Sequence, residues 1–435
     1  MPKAFPWSAA TAIARLQDVQ TRIKTNAPGT QHVYTHLFDE PAADLPDTAL
    51  AGALVSIKDL LDVKGHVTHA GTTFMGDNAP ATKDADVVAA LRAQGCVLVG
   101  HTNMTELAYS GLGLNPHYGT PENALYPGCI PGGSTSGGAV SVAQGLADVA
   151  IGTDTGGSLR IPAAFNGITG FKPSQSSVSQ TGCRPLSRSL DSIGPMARDV
   201  ATCRAVWQAI ATEQADTLAI RPEFVIPENF GMDDLDPAVR AGFDAAVALL
   251  REAGFTVSTH SFAALEAMKS LAVWQFSSVE SRAEYEDAFQ TRFDSLDPRV
   301  ASRMARADEA TAVSYRQTLN LRNDLIAAFD AELDGRALLM PTVPILPPRF
   351  DAVQDDADFG RINLQALRNP TIANVMNGCS ISLPFAHASD TIGVMLIASG
   401  HSDPALLDLA ERCETLFQAD AVEKLVGDLL LGGTA

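Results

Sequence analysis

The chain has 435 residues, 46% hydrophobic and 19% charged, the composition of a globular protein with ample core. Its formal net charge of −19 argues against nucleic-acid and anionic-membrane partners and reads as a solvated acidic surface. No apolar run approaches the roughly 18 residues of a membrane-spanning helix, and the N-terminus lacks a signal peptide's apolar core, so a cytoplasmic location is expected.

In chain order, residues 1–30 read as an amphipathic helix ended by the polar break NAPGT, and 31–50 as an extended, loop-like wrap. The apolar run at Leu54–Ile57 predicts a strand that delivers Lys58 to its carboxyl end, where α/β sites gather. DADVVAALRAQG predicts a helix, apolar at Val87, Val88 and Leu91 and stopped by Gly95. CVLVGHTN follows as a strand. This strand–helix–strand rhythm predicts a parallel sheet with crossover helices. The glycine- and proline-rich loop 109–131 is too long for an ordinary connection and points to a site. After it, GGAVSVAQGLA reads as a short helix, DVAIGTD as a buried strand and LRIPAAFNG as a helix start.

The polar segment 174–200 is expected to lead into a helix at 197–210. From about residue 220, EFVIPEN and FTVSTHS read as strands flanking a helix, PAVRAGFDAAVALLREAG. Residues 263–333 read as a helical block with charged faces. ALLMPTVPILPP is a strand running into a proline-rich loop, NPTIANVMNGCSISLPFA and DTIGVMLIAS are two core strands, and DPALLDLAERCETLF is a terminal helix.

The chemistry concentrates in 131–161, PGGSTSGGAVSVAQGLADVAIGTDTGGSLRI. Two Gly-Gly-Ser turns end at Ser134 and Ser158, 24 positions apart (158 − 134). A serine set among free backbone N–H groups is what acyl transfer requires: a nucleophile beside donors for an oxyanion. Competing motifs fail. GLGLNP lacks the third glycine of a dinucleotide loop, and GGSTSGG lacks the Lys-Ser/Thr of a phosphate loop. His66 and His69 are spaced HxxH in a glycine-rich loop without a matching carboxylate, so no metal site is expected. No histidine spacing demands a Ser-His-Asp triad. Lys58 is the better base, provided its site depresses its pKa. The six cysteines form no CxxC pair and read as reduced, buried thiols.

At VSIKDLLDV, HTNMTELA, PGGSTSGG, IGTDTGGSLRIPAAFNGITGFKPS and SLDSIGPMARDV the sequence resembles the amidase signature family, serine hydrolases of amide bonds. Weaker agreement continues at LLMPTVP, NVMNGCSISLP and DPALLDLAERCE, so the resemblance spans about residues 50–420. It implies an α/β fold with a mixed β-sheet core surrounded by helices. It also implies one domain over 1–435, with 51–200 as signature core and about 220–335 as a helical insertion covering the site.

For the site, the resemblance implies Ser158 as nucleophile, Ser134 as a bridging serine after a cis Gly133–Ser134 peptide, and Lys58 as general base. The backbone N–H groups of Thr155, Gly156, Gly157 and Ser158 would form the oxyanion hole. Asp154 and Arg160 would hold the nucleophile loop, or Arg160 would grip a substrate carboxylate. Asp191 reads as structural. Cys379, where the family commonly has proline, would line the acyl pocket or pack the core. Other departures are Thr135-Ser136-Gly137 after the bridging serine and His101 before the TN motif.

The implied reaction is hydrolysis of a carboxylic amide to acid and ammonia or amine, without metal or cofactor. The expected partner is a small-molecule amide, with a homodimer left open as the assembly. Two alternatives stand beside it: a urea-type amide hydrolase of the allophanate or biuret kind, and the A subunit of a glutamine-dependent tRNA amidotransferase. The acidic charge weighs against the second.

Overall fold

The computed structural model describes residues 5–39, 45–212 and 218–431, the stretch 422–431 as backbone alone. Its strands are β1 (Tyr34–Leu37), β2 (Leu54–Lys58), β3 (Val97–Thr102), β4 (Val149–Asp154), β5 (Thr169–Lys172), β6 (Ser192–Ala197), β7 (Glu223–Pro227), β8 (Thr256–His260), β9 (Ala337–Pro341), β10 (Cys379–His387) and β11 (Asp390–Ala398). They pair into one sheet in the order β1-β3-β2-β4-β6-β5-β10-β11-β9-β7-β8. The runs β3-β2-β4 and β9-β7-β8 are parallel and the other pairings antiparallel, so the sheet is mixed. This is the expected α/β class.

Strands covered on both faces need apolar residues at every position rather than at alternate ones. Accordingly β2, β3, β4 and β9 are buried along their whole length. Alternate residues still feed opposite layers. On β9, Ala337 and Leu339 enter a core with Val55, Ile57 and Phe171, while Leu338 and Met340 enter a second core with Val225, Phe262 and Phe329. The second core lies between the sheet and helices of the 263–333 block, among them Ala263–Met268 and Ala312–Leu333.

Several segments depart from the sequence reading. The 31–50 wrap contains β1, a half-buried strand held by antiparallel pairing to β3. The polar segment 174–200 holds β6 in the middle of the sheet. Gly194 and Pro195 hid it. A Cβ at Gly194 would lie 2.3 Å from the Phe171 carbonyl oxygen, so the close strand approach demands glycine. Pro195 stands opposite Ile151 of β4, beyond the two residue pairs that join β6 to β5. The helix after it is Val200–Ile210, begun by Asp199 accepting from the Thr202 N–H. NPTIANVMNGCSISLPFA splits into a helix, Thr371–Val375, and the strand β10, with Asn377 in the left-handed region between them. A helix at Asp356–Arg368, capped by Asp355, was not anticipated. No helix among the described residues is long and apolar enough to cross a membrane.

Candidate active site

Three parallel strands end side by side. Lys58 closes β2, Thr102 closes β3 opposite it, and Thr153–Asp154 closes β4. The first glycine turn follows from the long loop and places Ser134 just before the helix Ser136–Ala143, with the Gly133–Ser134 peptide cis. The Ser134 carbonyl accepts from the Thr105 N–H at 3.1 Å, which ties the turn to the loop after β3. Lys58 is fully buried. Its Nζ donates to Ser134 Oγ at 2.7 Å and to Thr153 Oγ1 at 2.8 Å. Burial lowers its pKa to about 7, against opposing pulls that include the Asp191 and Asp154 carboxylates.

The second turn, 155–159, is built around Asp154. Its carboxylate accepts from the Gly157 N–H at 2.8 Å and the Leu159 N–H at 3.1 Å. It also forms a two-point pair with Arg160, Nε to Oδ2 at 3.0 Å and Nη2 to Oδ1 at 2.9 Å. Such forked, charge-assisted bonds fix geometry as well as charge. Burial alone would raise the Asp154 pKa; the Arg160 guanidinium, with help from Lys172, outweighs it and holds the carboxyl at about 2. Gly157 has φ +135°, and a Cβ there would meet Ile161 and Pro370 at 2.7 Å, so only glycine fits this turn.

Ser158 follows, nearly buried at 4% exposure. It faces a cavity of about 110 Å³ lined also by Thr155, Gly156, Tyr109, Leu186, Leu190 and Leu367. Among the described residues, the N–H groups of Thr155, Gly156 and Ser158 have no protein acceptor. Thr155 Oγ1 donates to Asp191 Oδ1 at 2.5 Å, and the Leu186 and Ser187 N–H groups donate to Asp191 Oδ2. Burial raises the Asp191 pKa to about 6 despite these bonds.

A family model, Amidase, matches residues 10–407. The chain belongs to the amidase family.

This amidase is 33% identical to 2-amino-5-chloromuconic acid deaminase of Comamonas testosteroni over 84% of its own length and 82% of that protein's. It is 32% identical to indoleacetamide hydrolase of Pseudomonas savastanoi, covering 80% of this chain and 79% of that one. A crystal structure of an amidase superposes with a TM-score of 0.83 at 28% identity, covering 93% of this chain and 96% of the other. The amidase is thus an amide-hydrolysing enzyme on an α/β fold.

Within it, the structure brings Lys58 and Ser134 into contact and sets Ser158 at the cavity. Gly157 departs from its expected place among the oxyanion donors, because its N–H is spent on Asp154. Arg160 is fully buried and its five N–H donors go to Asp154 (two), the Pro370 carbonyl at 2.8 Å, Asn374 Oδ1 at 2.8 Å and Ser380 Oγ at 3.4 Å, so none is left for a substrate. Cys379 packs in the core, its Sγ 3.5 Å from the Ser399 carbonyl, and is no part of the cavity lining.

Thr153 was not foreseen as a partner of Lys58, nor Arg303 and Thr371 as cavity residues. The only sequence signal for Thr153 was its place in TDTGGS; the other two lie in segments that carry no motif.

Proposed function

We propose that the amidase hydrolyses a carboxylic amide through an acyl-enzyme on Ser158, with Ser134 relaying protons to Lys58. The observation that carries this reading is the buried Lys58–Ser134 contact, in which the amine has a pKa of about 7 and a useful neutral fraction. Ser158 Oγ attacks the amide carbonyl carbon. Its proton passes to Ser134, whose own proton goes to Lys58. The tetrahedral oxyanion is held by the N–H groups of Thr155, Gly156 and Ser158, each such donor typically worth roughly 3–4 kcal/mol of barrier. The C–N bond then breaks as the leaving nitrogen takes the proton back through Ser134. Water attacks the ester by the same relay, releasing the acid and Ser158.

In this reading the residues of about 220–335 cover the site, since Val273, Ser277 and Arg303 come from there to the cavity wall. The named activities of the relatives, on indoleacetamide and on 2-amino-5-chloromuconic acid, support ammonia as a product. The test is Ser158→Ala with ammonia release followed on a panel of aliphatic, aryl and urea-type amides. Turnover should vanish, and a sulfonyl fluoride should label the wild type at Ser158 and leave the variant unmodified. Retained turnover in the purified variant overturns the assignment.

A further inference from the structure

The Ser158 cavity adjoins a second one of about 350 Å³, the two sharing Tyr109, Val273, Ser277, Arg303, Leu367 and Thr371 as walls. Among the described residues, the two linings hold no aspartate, glutamate or lysine, but three arginines: Arg303 in both, Arg306 and Arg368 in the second. That is the opposite of the chain as a whole, in which 50 acidic residues outnumber 31 basic ones.

The three arginines are not equivalent. Arg306 has Glu309 at 3.6 Å and lies over the Trp274 ring at 4.1 Å. Arg368 has Asp233 at 3.5 Å and donates to the Asp233 and Gly231 carbonyls. Arg303, on the helix Pro298–Ala305, donates to the Tyr109 carbonyl; among the described residues no carboxylate lies within ion-pair distance, Asp297 acting on it only from farther off. Arg303 is partly buried, and burial pulls its pKa below the usual guanidinium range, although the Asp297 carboxylate pulls the other way. A partly desolvated guanidinium with no carboxylate in direct contact gains from a ligand that supplies one.

We infer that Arg303 receives an ionised carboxylate of the substrate, so the amidase acts on amides that carry a second, anionic end beyond a short apolar linker. The walls fit such a molecule: Leu186, Leu190 and Leu367 lie along the cavity that holds Ser158 and Arg303 together. A guanidinium fork is the group best matched to a carboxylate. This inference rests on Ser158 being the point of attack.

The experiment compares glutaramate with uncharged hexanamide. In the wild type, glutaramate should have the higher kcat/KM. Arg303→Gln keeps an N–H for the Tyr109 carbonyl but loses the charge, and should reduce the glutaramate-to-hexanamide ratio roughly 10- to 100-fold, mainly through KM. Arg303→Lys should restore part of the ratio. Binding of glutaramate to the Ser158→Ala protein, followed by calorimetry with and without Arg303→Gln, decides the same point without turnover. A wild type indifferent to the carboxylate, or a ratio and an affinity unmoved by Arg303→Gln, overturns the inference and leaves the proposed hydrolysis standing. No ammonia from either amide, with Arg303-dependent glutaramate binding intact, overturns the hydrolysis and leaves the anion site.

Discussion

A lysine amine serves as a base only when it is neutral, and at an ordinary pKa near 10.4 almost none is neutral at pH 7. Lys58 is brought into range by full burial at the end of a strand, out of reach of bulk solvent. Its three hydrogen-bonding contacts are two hydroxyls and, at 3.5 Å, the Thr153 carbonyl, rather than a carboxylate that would hold the proton. The sign of the pH dependence follows. Protonated Lys58 cannot accept from Ser134, so kcat/KM should rise with pH, about tenfold per unit below 7, and level off above it. A pH profile of the free enzyme on an uncharged amide measures this, and a profile flat from pH 5 to 9 would contradict the role of Lys58.

At the scale of the element, the turn 155–160 is held by one carboxylate. Asp154 takes two backbone N–H groups, the Arg160 fork and the Asn374 amide, so helix start, turn and the segment after residue 370 share one anchor. Replacing it should cost more than the hydrogen bonds alone, because Arg160 would remain buried with its charge unpaired. Asp154→Ala is therefore expected to lower folding stability by about 3–5 kcal/mol, seen as a large drop in the urea midpoint with the slope unchanged. A loss under about 1 kcal/mol would show the turn to be held by packing instead.

Across the whole molecule, two fields compete. The net charge of −19 repels an anionic substrate at long range, whereas the arginines of the cavity attract it at contact. Salt screens exposed, distant charges more than buried, close ones, the Debye length being about 8 Å at physiological ionic strength. Raising ionic strength from about 10 to 150 mM should therefore increase kcat/KM for glutaramate and leave that for hexanamide flat. A fall for glutaramate would mean that local attraction, not the surface field, governs encounter. The helices of the 263–333 block belong to this scale too. Tyr109 Oη shares a hydrogen bond with Ser281 Oγ at 2.6 Å, and Tyr285 Oη donates to the Pro185 carbonyl at 2.8 Å, fastening the helix Trp274–Thr291 to the loops around the cavity.

Legible in the chain alone were the strand–helix–strand unit of β2 and β3, β4 as a buried strand and the two serine turns, because unbroken apolar runs and glycine pairs encode burial and backbone geometry locally. Family motifs then singled out Lys58, Ser134 and Ser158. Membership of β1, β5 and β6 in the sheet came from the fold: each is short or broken by polar residues, glycine or proline, with no unbroken apolar run, and neighbouring strands supply their hydrogen-bond partners. The tertiary structure also decided that the Gly157 N–H is spent on Asp154, that Thr153 rather than a charged group seconds Lys58 from 95 positions away, and that Arg303 reaches the cavity from a segment with no motif. Such facts are contacts between distant stretches of chain, and nothing in the local pattern of either stretch records the other.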